Sequence, residues 1–368
     1  MLAVYVTGHG FGHSTRTAEV LRAVRELDPS LPIVVTTKAP LHLFEEVVAP
    51  PLRLRRLECD VGLVQRDALT IDEAATAARW TEFARVLPER VKAEADFLRS
   101  ARARVVLGDV PPLAFTAAAE AGVPSVALAN FSWDWIYRHY ASRHPALGEA
   151  AEACAKAYAR CSRLLRLPFA GDLTAFPQIE DIPLVARRPR VSRIDARRRL
   201  SLPSGPLVLL SFGGLGLPGL GVESLGGPSG PHFFWVGETP SASPQSALPD
   251  NVTFVPRARL AATHLGYEDV VGAADVVVTK PGYGIVSDAI GAGTAIVYTE
   301  RGDFPEYPIL VEGMTKLVPC AYVSNEDLLA GRLREPIDTV LRAPMPEPPP
   351  LDGAARAASR LLEIATSA

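Results

Sequence analysis

The sequence predicts an α/β protein made of two domains of parallel α/β units. Short apolar, β-branched segments alternate with helical stretches, which is typical of parallel sheets whose strands are joined by helices. The segments form two series, separated by residues 168–200, where none is found. A chain of 368 residues, of which 48% are hydrophobic, is long enough to bury two cores of ordinary size.

The two series define the predicted strands and the domain limits. The first series lies at residues 2–6, 32–37, 104–107, 124–129 and 164–167, and the second at 206–212, 233–236, 251–255, 274–279 and 294–298. A first domain is therefore expected over residues 1–170 and a second over 193–350. The proline-spaced residues 171–192 are expected to connect them, and a closing amphipathic helix over 352–368 is assigned to the first domain.

Two helices of the first domain can be placed from the sequence. Ser14 is positioned to cap the first helix at its amino terminus. An apolar stripe at helical spacing follows, formed by Ala18, Leu21, Val24 and Leu27. The second helix is expected over residues 110–122, where Gly122 and a following proline end it.

The composition excludes several classes of function. The 38 basic and 41 acidic side chains nearly balance, so no overall field draws the protein to nucleic acid or to an anionic membrane. No segment approaches the roughly twenty apolar residues of a membrane span, and the amino terminus does not resemble a signal sequence, so a cytoplasmic location is expected. The four cysteines lack the spacing of a metal site or of a disulfide framework. Small-molecule partners are therefore expected; the oligomeric state is not predicted.

A glycine-rich turn lies between the first strand and the first helix. Gly8, Gly10 and Gly12 fall where a strand passes into the amino terminus of a helix, and this geometry presents free backbone N–H groups to an anion or a polar ligand. The turn lacks the third glycine of the dinucleotide fingerprint, and the second strand ends at Lys38 rather than at an acidic residue. A nucleotide cofactor of that kind is therefore not indicated, and a tight turn without a ligand is the alternative.

His13, at the start of the first helix, is a candidate general base. The positive end of the helix dipole disfavours an imidazolium there and so favours a neutral ring. Asp109 ends a predicted strand of the same sheet and opens onto the same edge, where its carboxylate can fix the tautomer of the imidazole. The alternative is that both residues are structural caps of their helices. His9 is interpreted as a substrate contact and not as a base.

The second domain repeats the combination of a strand and a glycine-rich turn. Two such turns with hydroxyl and backbone donors predict a diphosphate site between the domains. The predicted diphosphate ligands are Gly12, Ser211, Gly213, Gly214, Lys280, Gly282, Tyr283, Gly284 and Ser287. Asp288 is expected to bind a ribose diol, and Asp303 and Glu306 are expected to hold sugar hydroxyls. The alternatives are that these carboxylates only compensate a helix dipole or lie in a solvated loop.

The first domain also offers candidate substrate contacts. These are Gly8, His9, Gly10, Phe11, Asp67, Asn130 and Trp133. The aromatic segment at 130–137 can form a platform for a sugar ring. At its roughly helical spacing, however, Trp133 and Trp135 can equally pack in the core.

Seven segments stand in a defined order along the chain, namely TGHGFGHSTR, GDVPPLAF, ANFSWDWIY, RLPF, IPLVARRPR, SFGG and TKPGYGIVSDAI. This ordered set resembles the GT-B glycosyltransferase superfamily, and most closely the amino-terminal, glycosyltransferase-like half of plant and bacterial L-arabinokinases. The sugar-kinase half of arabinokinases is not found after the proline-rich spacer, so kinase activity is not expected.

The resemblance implies two facing Rossmann-like domains with a cleft between them and a carboxyl-terminal crossover helix. It also implies that the first domain binds the acceptor, so its candidate substrate contacts are expected on the acceptor side, and that the second binds the nucleotide-sugar. His13 and Asp109 match the base and its orienting aspartate in plant-type inverting transferases. Asp288 matches a ribose-binding glutamate of the peptidoglycan N-acetylglucosaminyltransferase, with a shorter side chain. Lys280 stands where plant enzymes use a histidine to bind phosphate, and Asp303 and Glu306 only loosely match their acidic-glutamine donor pair.

The expected function is therefore an inverting, metal-independent transfer of a sugar from a nucleotide-diphosphate sugar to a small-molecule hydroxyl acceptor. The donor is expected to be UDP-linked, and no cofactor is expected beyond this co-substrate. Two alternatives stay open from the sequence, namely a sugar or nucleotide-sugar binding module without turnover and a nucleotide-sugar epimerase on the same two-domain plan.

Overall fold

The computed structural model describes residues 1–66, 70–213, 219–226, 230–237 and 248–367. Within these ranges the chain forms two parallel sheets with helices packed on them. This arrangement confirms the predicted α/β fold class.

The first sheet has seven described strands in the order β3-β2-β1-β4-β5-β6-β7. They are β1 (Leu2–Val6), β2 (Ile33–Thr37), β3 (Leu52–Arg56), β4 (Val105–Asp109), β5 (Ser125–Ala129), β6 (Arg163–Arg166) and β7 (Ile179–Asp181). The strand order reverses between β1 and β4, which is where ligands bind in open parallel sheets. Val6 pairs with Asp109 in the register of these two strands. The glycine-rich turn after β1 and the Asp109 carboxylate are therefore at the same edge of the sheet.

The second sheet has six described strands in the order β10-β9-β8-β11-β12-β13. They are β8 (Leu207–Ser211), β9 (His232–Gly237), β10 (Val252–Pro256), β11 (Val276–Thr279), β12 (Ala295–Tyr298) and β13 (Cys320–Tyr322). Here the order reverses between β8 and β11, where Ser211 pairs with Thr279. The turns that follow these two strands therefore lie side by side.

Helices complete both domains. In the first domain they are α1 (Phe11–Leu27), α2 (His42–Glu45), α3 (Glu73–Ser100), α4 (Pro112–Ala121), α5 (Trp133–Tyr140) and α6 (Pro145–Tyr158). The helices after β7 are α7 (Arg193–Leu200), α8 (Arg257–Ala262), α9 (Tyr267–Ala273), α10 (Tyr283–Ala292), α11 (Glu306–Met314), α12 (Asn325–Leu329), α13 (Arg334–Arg342) and α14 (Gly353–Ser367). Among these described helices, none is long and apolar enough to cross a membrane.

Three strands were not predicted from the sequence. β3 has the sequence LRLRR and lies at the edge of its sheet. Its leucines and arginines alternate, so it lacks the continuous apolar run that is typical of a central strand. β7 and β13 have only three residues each, which is too short for a pattern. β7 falls inside the segment predicted as a connector and extends the first sheet.

The start of α1 differs from the prediction. The helix begins at Phe11 and its N-cap is Gly10, whose φ of 78° is favourable only for glycine. Ser14 therefore lies inside the helix, where its hydroxyl is buried and has no hydrogen-bond partner among the described residues. Leu27 continues the predicted apolar stripe, but as the last residue of the helix it is 55% exposed, whereas Ala18, Leu21 and Val24 are buried.

The closing helix α14 returns to the first domain, as the predicted crossover helix requires. It packs against α1, and its Arg360 guanidinium lies 2.9 Å from the Glu180 carboxylate of β7. Leu361 of α14 belongs to a buried cluster that contains Leu21 of α1 and Val286 of α10. One apolar core is therefore continuous from the first domain to the second.

Candidate functional site

The amino termini of α1 and α10 meet between the two domains. A Cβ atom built on Gly284 would lie 2.9 Å from the Gly12 Cα atom, and one built on Gly12 would lie 3.3 Å from the Gly284 nitrogen. Only glycine allows the two backbones to approach so closely. The two glycine-rich turns thus form one site, with the positive ends of both helices directed to it.

We expect Gly284→Ala to destabilise the protein by about 1–3 kcal/mol, the usual range for overpacking a close contact. The new methyl group would have to move the Gly12 backbone. The matched control is Gly282→Ala, because no described atom lies within 4 Å of a Cβ built there. Thermal unfolding of the two variants checks this, and equal melting temperatures would contradict the close contact.

His13 and Asp109 are in contact, as the sequence predicted. The His13 Nδ1 atom lies 2.8 Å from an Asp109 carboxylate oxygen, and both residues are buried. The His13 ring also packs edge-on against Phe131, with 5.3 Å between centroids. A carboxylate in this position holds the imidazole in a defined orientation, as a general base requires.

Arg16, which sequence reasoning missed, binds the same carboxylate. Its Nε atom donates to Asp109 Oδ2 at 2.8 Å and a terminal nitrogen lies 2.5 Å from Oδ1. The Thr17 hydroxyl donates to Oδ2 at 2.8 Å. Arg16 lies one helical turn after His13, so its position on the same face of α1 could have been found from the i, i+3 spacing.

A chain of hydrogen bonds continues from Arg16 into the second domain. A terminal nitrogen of Arg16 donates to Asn130 Oδ1 at 2.7 Å, and Asn130 Nδ2 donates to Glu306 Oε1 at 2.6 Å. Arg301 donates to the other Glu306 oxygen at 2.6 Å. Glu306 was expected to hold a sugar hydroxyl, but each of its oxygens already accepts a bond from the protein. The expected acceptor contact Asn130 is fully buried, so it joins the domains and does not face a ligand.

His9 has a different partner at its Nδ1 atom from His13. The backbone N–H of Leu63 donates to His9 Nδ1 at 3.4 Å. The proton of a neutral His9 ring is therefore on Nε2, which makes that atom a donor. His9 keeps partial exposure, as the expected substrate contact requires.

The two histidine rings are held neutral by their surroundings. Burial lowers the pKa of His9 to about 3, and the nearby His13, Arg301 and Lys280 side chains act in the same direction. Burial and the Arg16 guanidinium lower the pKa of His13 against the opposing effect of Asp109. Burial alone would raise the pKa of Asp109, but Arg16 and His13 hold it at about 2. The site therefore contains an ionised aspartate beside a neutral imidazole.

Trp133 packs in the core, which was one of the two sequence interpretations. It is fully buried, its ring stacks on Tyr137, and its indole N–H donates to Asp60 at 2.7 Å. His9 packs edge-on against this indole, with 5.3 Å between centroids. Trp133 thus packs against the His9 ring from the buried side and does not present a platform for a sugar. Phe11 is 38% exposed at the start of α1, where it can reach a ligand.

Asp60 is a second buried carboxylate that the sequence did not single out. Burial raises its pKa to about 6. It also lines a cavity of about 290 Å³ behind Trp133. The cavity lies between α3, α4 and α6, where Phe83, Leu113 and Cys154 contribute to its mostly apolar wall.

Apart from Gly12 at the start of α1, the expected diphosphate ligands that the structure describes lie at the end of β8 and in the turn after it, or in the turn after β11 and the beginning of α10. The Ser211 hydroxyl is 2.7 Å from the Tyr267 hydroxyl, and Ser287 donates to the Gly284 carbonyl within its own helix. Tyr283 is buried under the Arg16 guanidinium, 5.1 Å from the ring centroid. Lys280 follows β11 and is partly buried. Gly213 has a φ of 71°, a conformation that favours glycine.

The Asp288 carboxylate, expected to bind ribose, is paired with Arg187. Arg187 Nε donates to one carboxylate oxygen at 3.1 Å and a terminal nitrogen contacts the other. Glu268 lies 3.5 Å from the same guanidinium. Burial raises the pKa of Asp288 against the opposing effect of Arg187. A ribose would therefore have to share this carboxylate with Arg187.

Asp303 lies at the rim between the domains. It is exposed, and its carboxylate contacts His139 at 2.6 Å and Arg143 at 2.7 Å. The Tyr140 hydroxyl also contacts the Asp303 carbonyl at 2.5 Å. These partners are in the first domain, so Asp303 joins the segment between β12 and α11 to α5 and the segment after it.

Two predicted site residues, Asp67 and Gly214, lie outside the described ranges. Gly8 is exposed beside Lys38. Within the described part of the chain, no group of three His, Cys, Asp or Glu side chains is placed to hold a metal ion.

The chain is similar in sequence to the L-arabinokinase of Arabidopsis thaliana. The two are 36% identical over 341 residues, which cover 90% of this chain and 31% of the plant protein. The chain thus spans about a third of the length of this curated relative. No protein-family model matches the chain. The comparison confirms the resemblance to arabinokinases predicted from the sequence motifs.

Solved glycosyltransferase structures share the fold. The calicheamicin glycosyltransferase CalG4 superposes with a TM-score of 0.60 at 16% identity, over 100% of this chain and 94% of that one. A UDP-glucosyltransferase from Polygonum tinctorium that glucosylates indoxyl gives 0.60 at 15% identity, with the same coverage. The glycosyltransferase VinC, solved with dTDP, gives 0.56 at 13% identity, over 100% of this chain and 95% of that one. The chain therefore has the GT-B glycosyltransferase fold.

Proposed function

We propose that the protein is a glycosyltransferase that moves a sugar from a nucleotide-diphosphate sugar to a hydroxyl group of a small molecule. The observation that carries this proposal is the buried pair of His13 and Asp109 at the edge where the two domains meet. The GT-B fold, and the nucleotide-sugar chemistry named for the structural neighbours, support the same class of reaction.

In the proposed reaction His13 is the general base. With Nδ1 bonded to Asp109, its Nε2 atom can accept the proton of the acceptor hydroxyl. The hydroxyl oxygen forms a bond to the anomeric carbon, and the bond from that carbon to the diphosphate oxygen breaks. Attack from the face opposite the leaving group inverts the anomeric centre. Asp109 stabilises the imidazolium that forms on His13.

The leaving diphosphate gains negative charge as this bond breaks. The amino termini of α1 and α10 and the Lys280 ammonium are the groups that we assign to it, because backbone N–H groups and cations stabilise a developing anion without a metal. Arg301 Nε is buried without a hydrogen-bond partner among the described residues. We infer that this N–H donates to an oxygen of the bound donor, where it would gain a partner.

The acceptor would lie on the side of the first domain, beside His9 and Phe11. His9 can donate from Nε2 to an oxygen of the acceptor, while His13 takes the proton of the reacting hydroxyl. The two rings therefore have complementary roles, because their Nδ1 atoms have different partners.

A panel of nucleotides and nucleotide-sugars, screened by thermal shift, tests the donor. A ligand that binds only the folded state raises the melting temperature according to its concentration and affinity, and we expect UDP and UDP-sugars to do so. Transfer is then assayed with the donors that bind, against a set of small hydroxyl acceptors. Donor binding without transfer to any acceptor would favour a nucleotide-sugar binding module.

The ribose assignment predicts that Asp288→Asn weakens UDP binding about 10- to 100-fold, the effect of losing hydrogen bonds to a charged group. Arg187 keeps the Glu268 carboxylate nearby, so the variant is expected to fold. Asp338→Asn is the matched control, because Asp338 is a partly exposed carboxylate of α13 that also pairs with arginine. Calorimetric titration with UDP measures both, and an Asp288→Asn protein that binds as tightly as the parent would remove this assignment.

A further inference from the structure

The His13 ring has two neighbours that require opposite tautomers. Its Nδ1 atom lies 2.8 Å from an Asp109 oxygen and 3.0 Å from a terminal nitrogen of Arg16. A carboxylate can only accept a hydrogen bond and a guanidinium can only donate one. Nδ1 must therefore carry a proton to bond to Asp109, or lack one to bond to Arg16.

The arrangement around Asp109 favours the proton on Nδ1. Without that proton, lone pairs of His13 Nδ1 and Asp109 Oδ1 would face each other at 2.8 Å. With it, His13 donates to Asp109, and Arg16 keeps both of its bonds to the carboxylate and its bond to Asn130. The Nε2 atom of His13 is then left as the acceptor.

Arg16 is a buried residue with several fixed hydrogen bonds, and not only a counterion of Asp109. It is 3% exposed, and burying a guanidinium has a large desolvation cost that only well-placed partners offset. Its flat fork spans both oxygens of Asp109 and the amide of Asn130, a geometry that a lysine cannot reproduce. The Tyr283 ring of the second domain lies 5.1 Å from the guanidinium carbon.

We propose that Arg16 is a positioning residue, which fixes the Asp109 carboxylate so that His13 keeps its proton on Nδ1 and its free electron pair on Nε2. Through Asn130 and Glu306, Arg16 also connects this pair to the start of α11 in the second domain. The consequence for sugar transfer rests on the proposed function, whereas the effect on the His13 ring does not.

The charges around His13 determine the sign of the effect. Asp109 and Glu306 favour an imidazolium, and Arg16 opposes it. The neighbouring His9 is neutral and Phe131 is uncharged, while Glu306 is itself paired with Arg301. Removal of the Arg16 charge is therefore expected to raise the pH at which His13 is protonated.

Nitrogen-detected NMR of the histidine side chains tests the proposal without any need for turnover. The His13 signals are assigned by their loss in His13→Gln. In the parent we expect the Nδ1–H tautomer, and in Arg16→Gln we expect protonation of His13 at a higher pH. Arg22→Gln is the matched control, since Arg22 is a partly exposed arginine of the same helix paired with Glu19 and Glu26.

Arg16→Lys keeps the charge but loses the fork, so it is the second variant if Arg16→Gln does not fold. We expect it to keep a low protonation pH and to show a mixture of the two tautomers. A parent His13 with its proton on Nε2 would overturn the proposal. His13 spectra in Arg16→Gln and Arg16→Lys that match the parent would overturn it as well.

Kinetics separate this proposal from the proposed function. If the parent transfers sugar, the acid limb of the pH–rate profile follows protonation of the base, and Arg16→Gln should move it to higher pH. A lower rate with an unmoved limb would indicate a merely structural arginine. If the parent binds donor but transfers nothing, the proposed function fails, and the NMR spectra still decide whether Arg16 positions the His13 ring.

Discussion

His13→Ala is expected to lower sugar transfer by on the order of 10² to 10⁴-fold, the usual contribution of a positioned general base. Nucleotide binding should be unchanged, because the assigned diphosphate ligands are backbone groups and Lys280. Initial rates at saturating donor measure the first effect, and calorimetric titration with UDP measures the second. Only this pattern separates a base from a residue that binds the donor.

The control for this variant is His264→Asn, at an exposed position after α8 in the second domain. It should transfer sugar at the parent rate. Unchanged transfer by His13→Ala would remove His13 as the base. If His13→Ala loses both UDP binding and sugar transfer, His13 would instead be reassigned to the donor site.

Asp109→Ala is expected to destabilise the protein by roughly 3–5 kcal/mol, the cost of removing one partner of a buried ion pair. Arg16 would be left buried without its counterion, and His13 would lose the partner of Nδ1. The matched control is Asp303→Ala, whose carboxylate is also ion-paired but exposed. Exposed pairs contribute about 0–1 kcal/mol, so denaturant unfolding should separate the two variants clearly. Similar losses in both would contradict the buried pair.

The same aspartate predicts a pH dependence of stability. The pKa of Asp109 is held at about 2 in the folded protein, below the ordinary value of an aspartate. Its stabilising contribution is therefore fully present above the ordinary aspartate pKa and is lost as the pH falls toward about 2. In Asp109→Asn this part of the acid transition should be missing, which unfolding curves over that pH range can measure.

Most of the strands followed from sequence patterns, and all of these except β10 are central in their sheets. Central strands of a parallel sheet are buried on both faces, so they read as continuous apolar runs. The edge strand β3 and the three-residue β7 and β13 lack this property, and no run of that kind identified them. The start of α1 was misplaced because Ser14 matches the chemistry of a cap, whereas the backbone conformation of Gly10 begins the helix earlier.

The contact between His13 and Asp109 was predictable for a topological reason. Turns that follow adjacent parallel strands meet at one edge of the sheet, and β1 and β4 are adjacent at the point where the strand order reverses. The expected roles of Asp288 and Glu306 depended instead on which partners face them. Arg187 pairs with the first, and Asn130 and Arg301 occupy the second.

The sequence by itself determined the two-domain α/β fold, the glycine-rich turns and the histidine and aspartate at the shared edge. These features depend on local patterns, namely apolar runs, strand ends and helix starts. Only the tertiary structure decided that Arg16 holds Asp109, that Asn130 joins the domains and that Trp133 is buried. The physical reason is that a buried polar group must find partners wherever the fold brings them. Here those partners lie about a hundred residues away along the chain.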